Sequence, residues 1–210
     1  MAKIDMGRSR FKIQRRLGVE LPGLGKAGAL ERKPYGPGQH GMARKKLSDY
    51  TVRLLEKQKV MFNYGLRESQ LRNYVKKSKK IKTQSWVDTM IISLESRLDN
   101  VVFRLNWAPS IPAARQMVSH KHIKVNGKTV NVPGFQVKPN DVIEITDTGS
   151  KSGNYMQAKV RPRISSIPAF LSKEATAEKE KAKMVARPLA EDIPFAFEKR
   201  LVIEYYWKVK

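Results

Sequence analysis

The chain has 210 residues, 40% of them apolar, and 42 Lys plus Arg against 19 Asp plus Glu, a net charge of +23. Such an excess repels itself in a folded domain and suits a polyanionic partner, because neutralised phosphates release condensed counterions. There is no cysteine and there are three histidines, which removes disulfides, thiolate zinc sites, iron–sulfur clusters and cysteine nucleophiles. No apolar run approaches the roughly 20 residues of a membrane span. The basic start, Met1 to Gly18, has no apolar h-region or small-residue cleavage site, so no secretory signal is read and the cytoplasm is the expected location. The length fits one large or two small domains.

Residues 1–47 read as an extended basic arm. Arg8, Arg10, Lys12, Arg15, Arg16, Lys26, Arg32, Lys33, Arg44, Lys45 and Lys46 are interrupted by Pro22-Gly23, Gly25, Gly28, Pro34, Gly36-Pro37-Gly38 and Gly41. Such a stretch buries little apolar surface of its own. Phe11, Leu17, Leu21, Leu24, Leu30 and Tyr35 recur within it, a mixture suited to an arm that orders against RNA. Ser48 and Asp49 then offer a helix start. Residues 50–61 are helical in character, with Leu54, Met61 and either Gln58 or Leu55 on one face, and Gly65 stops the run. A second helix is predicted from about Glu68 to Lys80, with Leu71, Tyr74 and Val75 inward. It ends on Lys76, Lys77, Lys79 and Lys80, a denser cluster than the helix dipole needs.

Ser85-Trp86-Val87-Asp88 fits a capping box, and Met90, Ile91, Leu94 and Leu98 continue that helix's apolar face. Asp99 reads as the N-cap of a short helix through Leu105. Ser110, with Pro112 in the first turn, reads as the N-cap of another. Residues 122–125 and 128–132 then flank Asn126-Gly127, the dipeptide of a type I′ hairpin turn. Pro139-Asn140-Asp141 turns into a strand at 142–146, with Ile143 and Ile145 on one side and Val142 and Glu144 on the other. Residues 147–165 read as a polar connection. Residues 171–187, dominated by Ala, Lys and Glu, read as a surface helix. The apolar tail from Phe195 to Trp207 is expected to pack back, as a strand or extended segment, against the helices of 49–82.

The predicted fold class is α+β. It consists of a basic arm (1–47), a helical domain (48–93, joined by the tail 196–210) and an α+β domain (94–195) holding an RNA-binding module at about 95–157. In that module Val101, Val102, Leu105, Met117, Val118, Ile123 and Val125 can form a small core. Arg97, Arg104, Arg115, Gln116, His120, Lys121, His122, Lys124 and Lys128 concentrate between the second short helix and the hairpin, while Asn126 and Gly127 shape the turn. A helix end and a β-turn presented together place cations on a rigid frame, which suits reading the shape of folded RNA. Arg8, Arg10, Arg15, Arg16, Gln39, His40, Arg44, Lys45, Lys46, Arg53, Lys76 and Lys77 are expected to add contacts from the arm and helical domain. No metal is expected, since His120 and His122 have no nearby acidic ligand, and no cofactor is expected. No serine has a Gly-x-Ser-x-Gly setting, and no Gly-rich nucleotide loop follows a strand.

Three stretches of the module carry a resemblance: Arg97-Leu98-Asp99-Asn100-Val101-Val102-Phe103-Arg104-Leu105, Ala114-Arg115-Gln116-Met117-Val118-Ser119-His120 and Ile123-Lys124-Val125-Asn126-Gly127-Lys128. They closely resemble the RNA-binding domain named after the S-four protein of the small ribosomal subunit. Tyr35-Gly36-Pro37-Gly38-Gln39-His40-Gly41, then Lys46-Leu47-Ser48-Asp49-Tyr50 and Arg53-Leu54-Leu55-Glu56-Lys57-Gln58-Lys59, are similar to the N-terminal segment of the bacterial S-four family. Leu201-Val202-Ile203-Glu204-Tyr205-Tyr206 resembles that family's C-terminal end. The resemblance is weakest across 150–190, and the closing Trp207-Lys208-Val209-Lys210 is longer than the usual ending. Part of the family carries four cysteines for zinc in the arm; this chain resembles the cysteine-free branch.

The resemblance implies a structural, non-enzymatic constituent of the small ribosomal subunit. It implies primary binding to the 5′ domain of small-subunit rRNA early in assembly, neighbouring small-subunit proteins, an influence on translational accuracy, and a capacity to bind its own messenger RNA. It implies no membrane partner. A pseudouridine synthase is the enzymatic rival, because Arg97-Leu98-Asp99 matches a triplet of its catalytic loop, but the surrounding catalytic domain has no room here. A free-standing RNA chaperone would lack residues 1–90 and the matching tail. A DNA-binding protein would call for a major-groove recognition helix that nothing here prescribes.

Overall fold

A computed structural model describes residues 9–43, 46–81, 85–175 and 180–208. The chain divides into two units, one formed by residues 1–90 with 193–210 and the other by 91–192.

The first unit is helical. Its elements are α1 (Arg10–Leu17), a 3-10 turn (Pro22–Leu24), α2 (Ala29–Arg32), α3 (Asp49–Asn63), α4 (Glu68–Ser78), the start of α5 (Trp86–Glu95) and α10 (Lys199–Lys208). The expected extended arm is therefore folded along its described length. Ile13, Leu17, Leu21, Leu24 and Ala29 are buried, so the recurring aliphatics build a core instead of waiting for RNA. Gln14 helps to close it, accepting from the Leu21 N–H at 3.0 Å and donating to the Lys26 carbonyl at 2.9 Å. The Ser48 hydroxyl caps α3 by accepting from the Thr51 N–H. The buried face of α3 is Glu56, Lys57, Val60 and Asn63, not the Leu54–Met61 stripe read from the sequence, whose side chains are half-buried. The polar members of that face are paired: Asn63 accepts from the Gly23 N–H at 3.0 Å, and Lys57 donates to Glu68 at 2.7 Å.

The tail does fold back, but as a helix. Val202, Tyr205 and Tyr206 are buried at helical i, i+3, i+4 spacing, and α10 packs on α3. Arg53 of α3 donates to Glu204 of α10 at 2.7 Å, and Lys199 donates to Asp88 at 2.7 Å. Asp88 therefore serves an ion pair as well as the first turn of α5. Phe195 packs edge-on against Tyr64 at 6.4 Å.

The second unit contains the rest of α5, then α6 (Leu98–Arg104), α7 (Ile111–Ser119), β1 (Ile123–Val125), β2 (Lys128–Thr129), β3 (Val142–Ile145), α8 (Asp147–Ser150), α9 (Gly153–Val160), β4 (Leu171–Ala175) and β5 (Glu180–Met184). The strands form one antiparallel sheet in the order β2-β1-β3-β5-β4. Ile123, Val125, Ile143, Ile145, Ala182, Met184 and Leu171 are buried. The opposite face carries a row of alternating charge, Lys124, Glu144, Lys181 and Glu174 in register. Such cross-strand pairs stabilise a solvated sheet face modestly.

Two expectations fail in this unit. The surface helix of 171–187 is the β4–β5 hairpin, with 176–179 outside the described residues. The polar connection of 147–165 holds α8 and α9, capped by the Thr146 and Ser152 hydroxyls. Cross-strand pairing and burial of alternate residues override the helix propensity of Ala, Lys and Glu.

Candidate nucleic-acid interface

The module is held from inside by two buried carboxylates. Glu95 accepts from the Arg104 guanidinium at 2.9 and 3.1 Å and from the Asn100 side-chain amide at 2.8 Å. Asp99 accepts from Arg97 at 2.6 and 2.9 Å, from Arg115 at 2.9 and 3.2 Å and from the Asn100 N–H at 2.9 Å. Both carboxylates are fully buried. An ionised carboxylate in such a place needs charged and hydrogen-bonding partners around it.

This arrangement changes the role of three residues. Asp99 lies within the first turn of α6, whose N-cap position is Arg97, so it is a framework acid and not the N-cap read from the sequence. Arg97 and Arg104 are buried. Their guanidiniums serve Asp99 and Glu95, and Arg104 also donates to the Asp192 carbonyl. They build the frame from inside, where the sequence reading expects surface cations. The loop before β3 is laced to the start of α6 by hydrogen bonds from Leu98 N–H to the Phe135 carbonyl, Asp99 N–H to Pro133 and Val137 N–H to Ser96.

On that frame the expected surface groups stand out. The Ser110 hydroxyl caps α7, and the helix ends at His120. Lys121 follows with φ 62°, which turns the chain into β1. His120 and Lys121 are exposed, and His122 and Lys124 are half-buried. The turn at Asn126 (φ 50°) and Gly127 (φ 75°) has the two positive φ values of a type I′ hairpin. Asn126 fixes it to β3, donating to Asp141 at 2.8 Å and accepting from the Val142 N–H at 2.9 Å. Lys128 and Gly127 are exposed at the tip. Gln116 is exposed and accepts from Asn154 at 3.4 Å. Arg115 keeps 30% of its side chain exposed while it holds Asp99. His120 and His122 stack edge-on at 5.9 Å. Among the described residues, no group of three or more acidic or His side chains is placed to hold a metal.

The first unit divides its cations in the same way. Arg10 donates to the Leu24 carbonyl at 2.9 Å. Arg15 donates to the Tyr35 and Gly36 carbonyls at 2.9 and 3.0 Å and lies over the Tyr35 ring. Arg53 pairs with Glu204. These three are half-buried and bonded within the fold, where the sequence reading expects RNA contacts. Arg16, Gln39, His40, Lys46, Lys76 and Lys77 are exposed. Arg8, Arg44 and Lys45 lie outside the described residues. Exposed Lys12, Arg67, Arg72 and Lys151 were not singled out as contacts from the sequence. For Lys151 the missed signal is Gly149: a Cβ there would sit 2.7 Å from the His122 carbonyl, so α8 must lie against the hairpin's first strand.

An α+β frame with a cation-bearing helix end and hairpin has the geometry of an RNA-binding module. Two family models divide the chain: the Ribosomal protein S4/S9 N-terminal domain matches residues 6–95, and the S4 domain matches 96–143. A small ribosomal subunit protein uS4B of Bdellovibrio bacteriovorus is 53% identical over 197 residues, 94% of each chain. Proteins named small ribosomal subunit protein uS4 from Methylobacillus flagellatus and Nostoc punctiforme are 42% and 44% identical, over 94% of this chain and 95% of theirs. The chain belongs to the family of small ribosomal subunit protein uS4, structural RNA-binding constituents of the ribosome.

Proposed function

We propose that this chain is a primary binder of the 5′ domain of small-subunit rRNA in the bacterial cytoplasm. It organises that domain early in assembly, sits beside other small-subunit proteins and influences decoding accuracy. The contact surface in the module is Arg115, Gln116, His120, Lys121, Lys124 and Lys128. Exposed Arg16, Gln39, His40, Lys46, Lys76 and Lys77 extend it in the first unit.

One observation carries the reading: Lys121 and Lys128 stand exposed at two successive turns of a frame fixed from inside by Glu95 and Asp99. Cations held on a rigid turn match phosphates in a folded RNA without paying the ordering entropy of a free tail.

The test is a salt titration of affinity for a folded 5′-domain fragment, beside an unrelated structured RNA of equal length. Preference for the ribosomal fragment at physiological salt is expected. The Lys121→Ala, Lys124→Ala double variant is expected to bind more weakly, with the salt slope reduced by about 1 for each lost phosphate contact. An unchanged slope would remove this surface from the interface.

A further inference from the structure

The first unit has a pocket that the charged surface does not account for. It lies between α1, the turn at Pro37 and the end of α3, and it is lined by Lys12, Ile13, Arg16, Leu17, Pro37 and Phe62, with a volume of about 330 Å³. The floor is apolar: Ile13 and Leu17 are buried, and Phe62 and Pro37 are half-buried. Small-molecule sites run from roughly 300 to 1,000 Å³, so this one suits a single flat ring system and not a longer segment. No acidic residue lines it.

The rim is as informative as the floor. Lys12 and Arg16 are one helical turn apart, on the same face of α1, and both are exposed. Arg10 and Arg15 on the same helix are occupied by backbone carbonyls. Lys12 and Arg16 have no hydrogen bond or ion pair among the described residues. The helix thus gives two of its four cations to the fold and leaves two at the mouth of a pocket walled by Phe62. Unpaired bases are recognised in just such settings, with the ring stacked on an aromatic or guanidinium plane and the backbone held by cations.

We infer that this pocket captures one unstacked nucleobase of the rRNA, packed against Phe62 and Pro37, with the flanking phosphates on Lys12 and Arg16. The inference rests on the rRNA-binding reading and adds a single-nucleotide site remote in sequence from the hairpin module.

The test uses the full chain bound to the 5′-domain fragment. Ultraviolet irradiation without added cross-linker, followed by peptide and nucleotide mapping, is expected to join the Phe62 peptide to one unpaired nucleotide. Phe62→Leu keeps an apolar side chain but loses the ring. It is expected to weaken binding about 5- to 10-fold with the salt slope unchanged. Lys12→Ala with Arg16→Ala, both at exposed positions, is expected to lower the slope by about 2 and to abolish the Phe62 cross-link, while cross-links from residues 120–128 persist. Tight binding with no nucleotide joined to Phe62 would overturn the pocket's assignment. So would a Phe62 cross-link to residues 1–8 or to a neighbouring protein. Failure of the unaltered chain to prefer the ribosomal fragment would instead remove the rRNA reading, and this inference with it.

Discussion

At Lys121 the backbone conformation and the proposed RNA contact make opposite demands on one residue. Its φ of 62° lies in the left-handed region, where a residue with a Cβ is strained by about 1–2 kcal/mol and glycine is at ease. A lysine there keeps an ammonium group at the turn between α7 and β1 at some cost in stability. Lys121→Gly is therefore expected to raise the free energy of unfolding by about 0.5–1 kcal/mol while weakening affinity for the 5′-domain fragment. Urea unfolding and RNA titration on the same sample would check both. Loss of stability would show that the side chain is held by packing and not retained for its charge. At this scale the sequence distinguishes basic residues from others, but not free ones from spent ones. Arg104 looks like a surface cation because its partner, Glu95, lies on α5 and meets it only when α5 and α6 fold on each other; Arg97 reaches Asp99 within its own turn, and what hides it is the loop at Gly134 and Gln136. The hairpin turn was legible because Asn126-Gly127 is a local signal that needs no partner.

Among the elements, the β4–β5 hairpin is the largest departure from the sequence reading and the most testable. Glu180 on β5 receives the Trp107 indole N–H at 2.7 Å, Lys159 at 2.9 Å and Lys173 at 3.0 Å. Burial alone would raise its pKa. Hydrogen bonds from Lys159 and Lys173, with the charge of Lys173, outweigh that and hold it at about 2, against 4.5 for a free Glu. A carboxyl whose folded pKa is depressed adds stability above its unfolded value, and that stability is lost as pH falls through the folded value. Lys159 is half exposed, so solvent screens part of the effect, and the hairpin is expected to lose about 1–2 kcal/mol between pH 4.5 and 2. Glu180→Gln should be less stable than the parent at pH 7, and the gap should close over that window in denaturant unfolding. A constant gap would exclude Glu180 as the titrating group.

Nothing in residues 171–187 announces this network, because its partners lie on α9 and at Trp107. The run's Ala, Lys and Glu favour a helix locally. The α10 segment errs the other way: its Val, Ile, Tyr and Trp favour a strand, yet Val202, Tyr205 and Tyr206 find a helical surface on α3 to cover. By contrast α3 and α7 carry their own capping serines, Ser48 and Ser110, and the sequence reading placed both by them; α4 was legible from the apolar spacing of Leu71 and Val75.

For the molecule as a whole, salt should act in two opposite directions. A net charge of +23 repels itself, and raising the ionic strength from about 0.01 to 0.15 M shortens the Debye length from about 30 to 8 Å. The free chain's Tm is expected to rise by several degrees over that range, by calorimetry, while affinity for RNA falls. A Tm that drops with salt would mean that the pairs on the surface outweigh the excess charge.

The helix α10 has one more consequence, which concerns order in time. The first unit takes its wall against α3 from residues 193–210, and these are synthesised after the whole of 91–192. Domains usually fold in the order in which they are made. Here the middle of the chain can finish first, while the helices made before it wait with the α3 face at Tyr50, Arg53 and Lys57, and Tyr64 beyond it, uncovered. During that interval the nascent chain has a completed hairpin module and an incomplete helical unit, so its earliest competent surface for RNA is the one translated second.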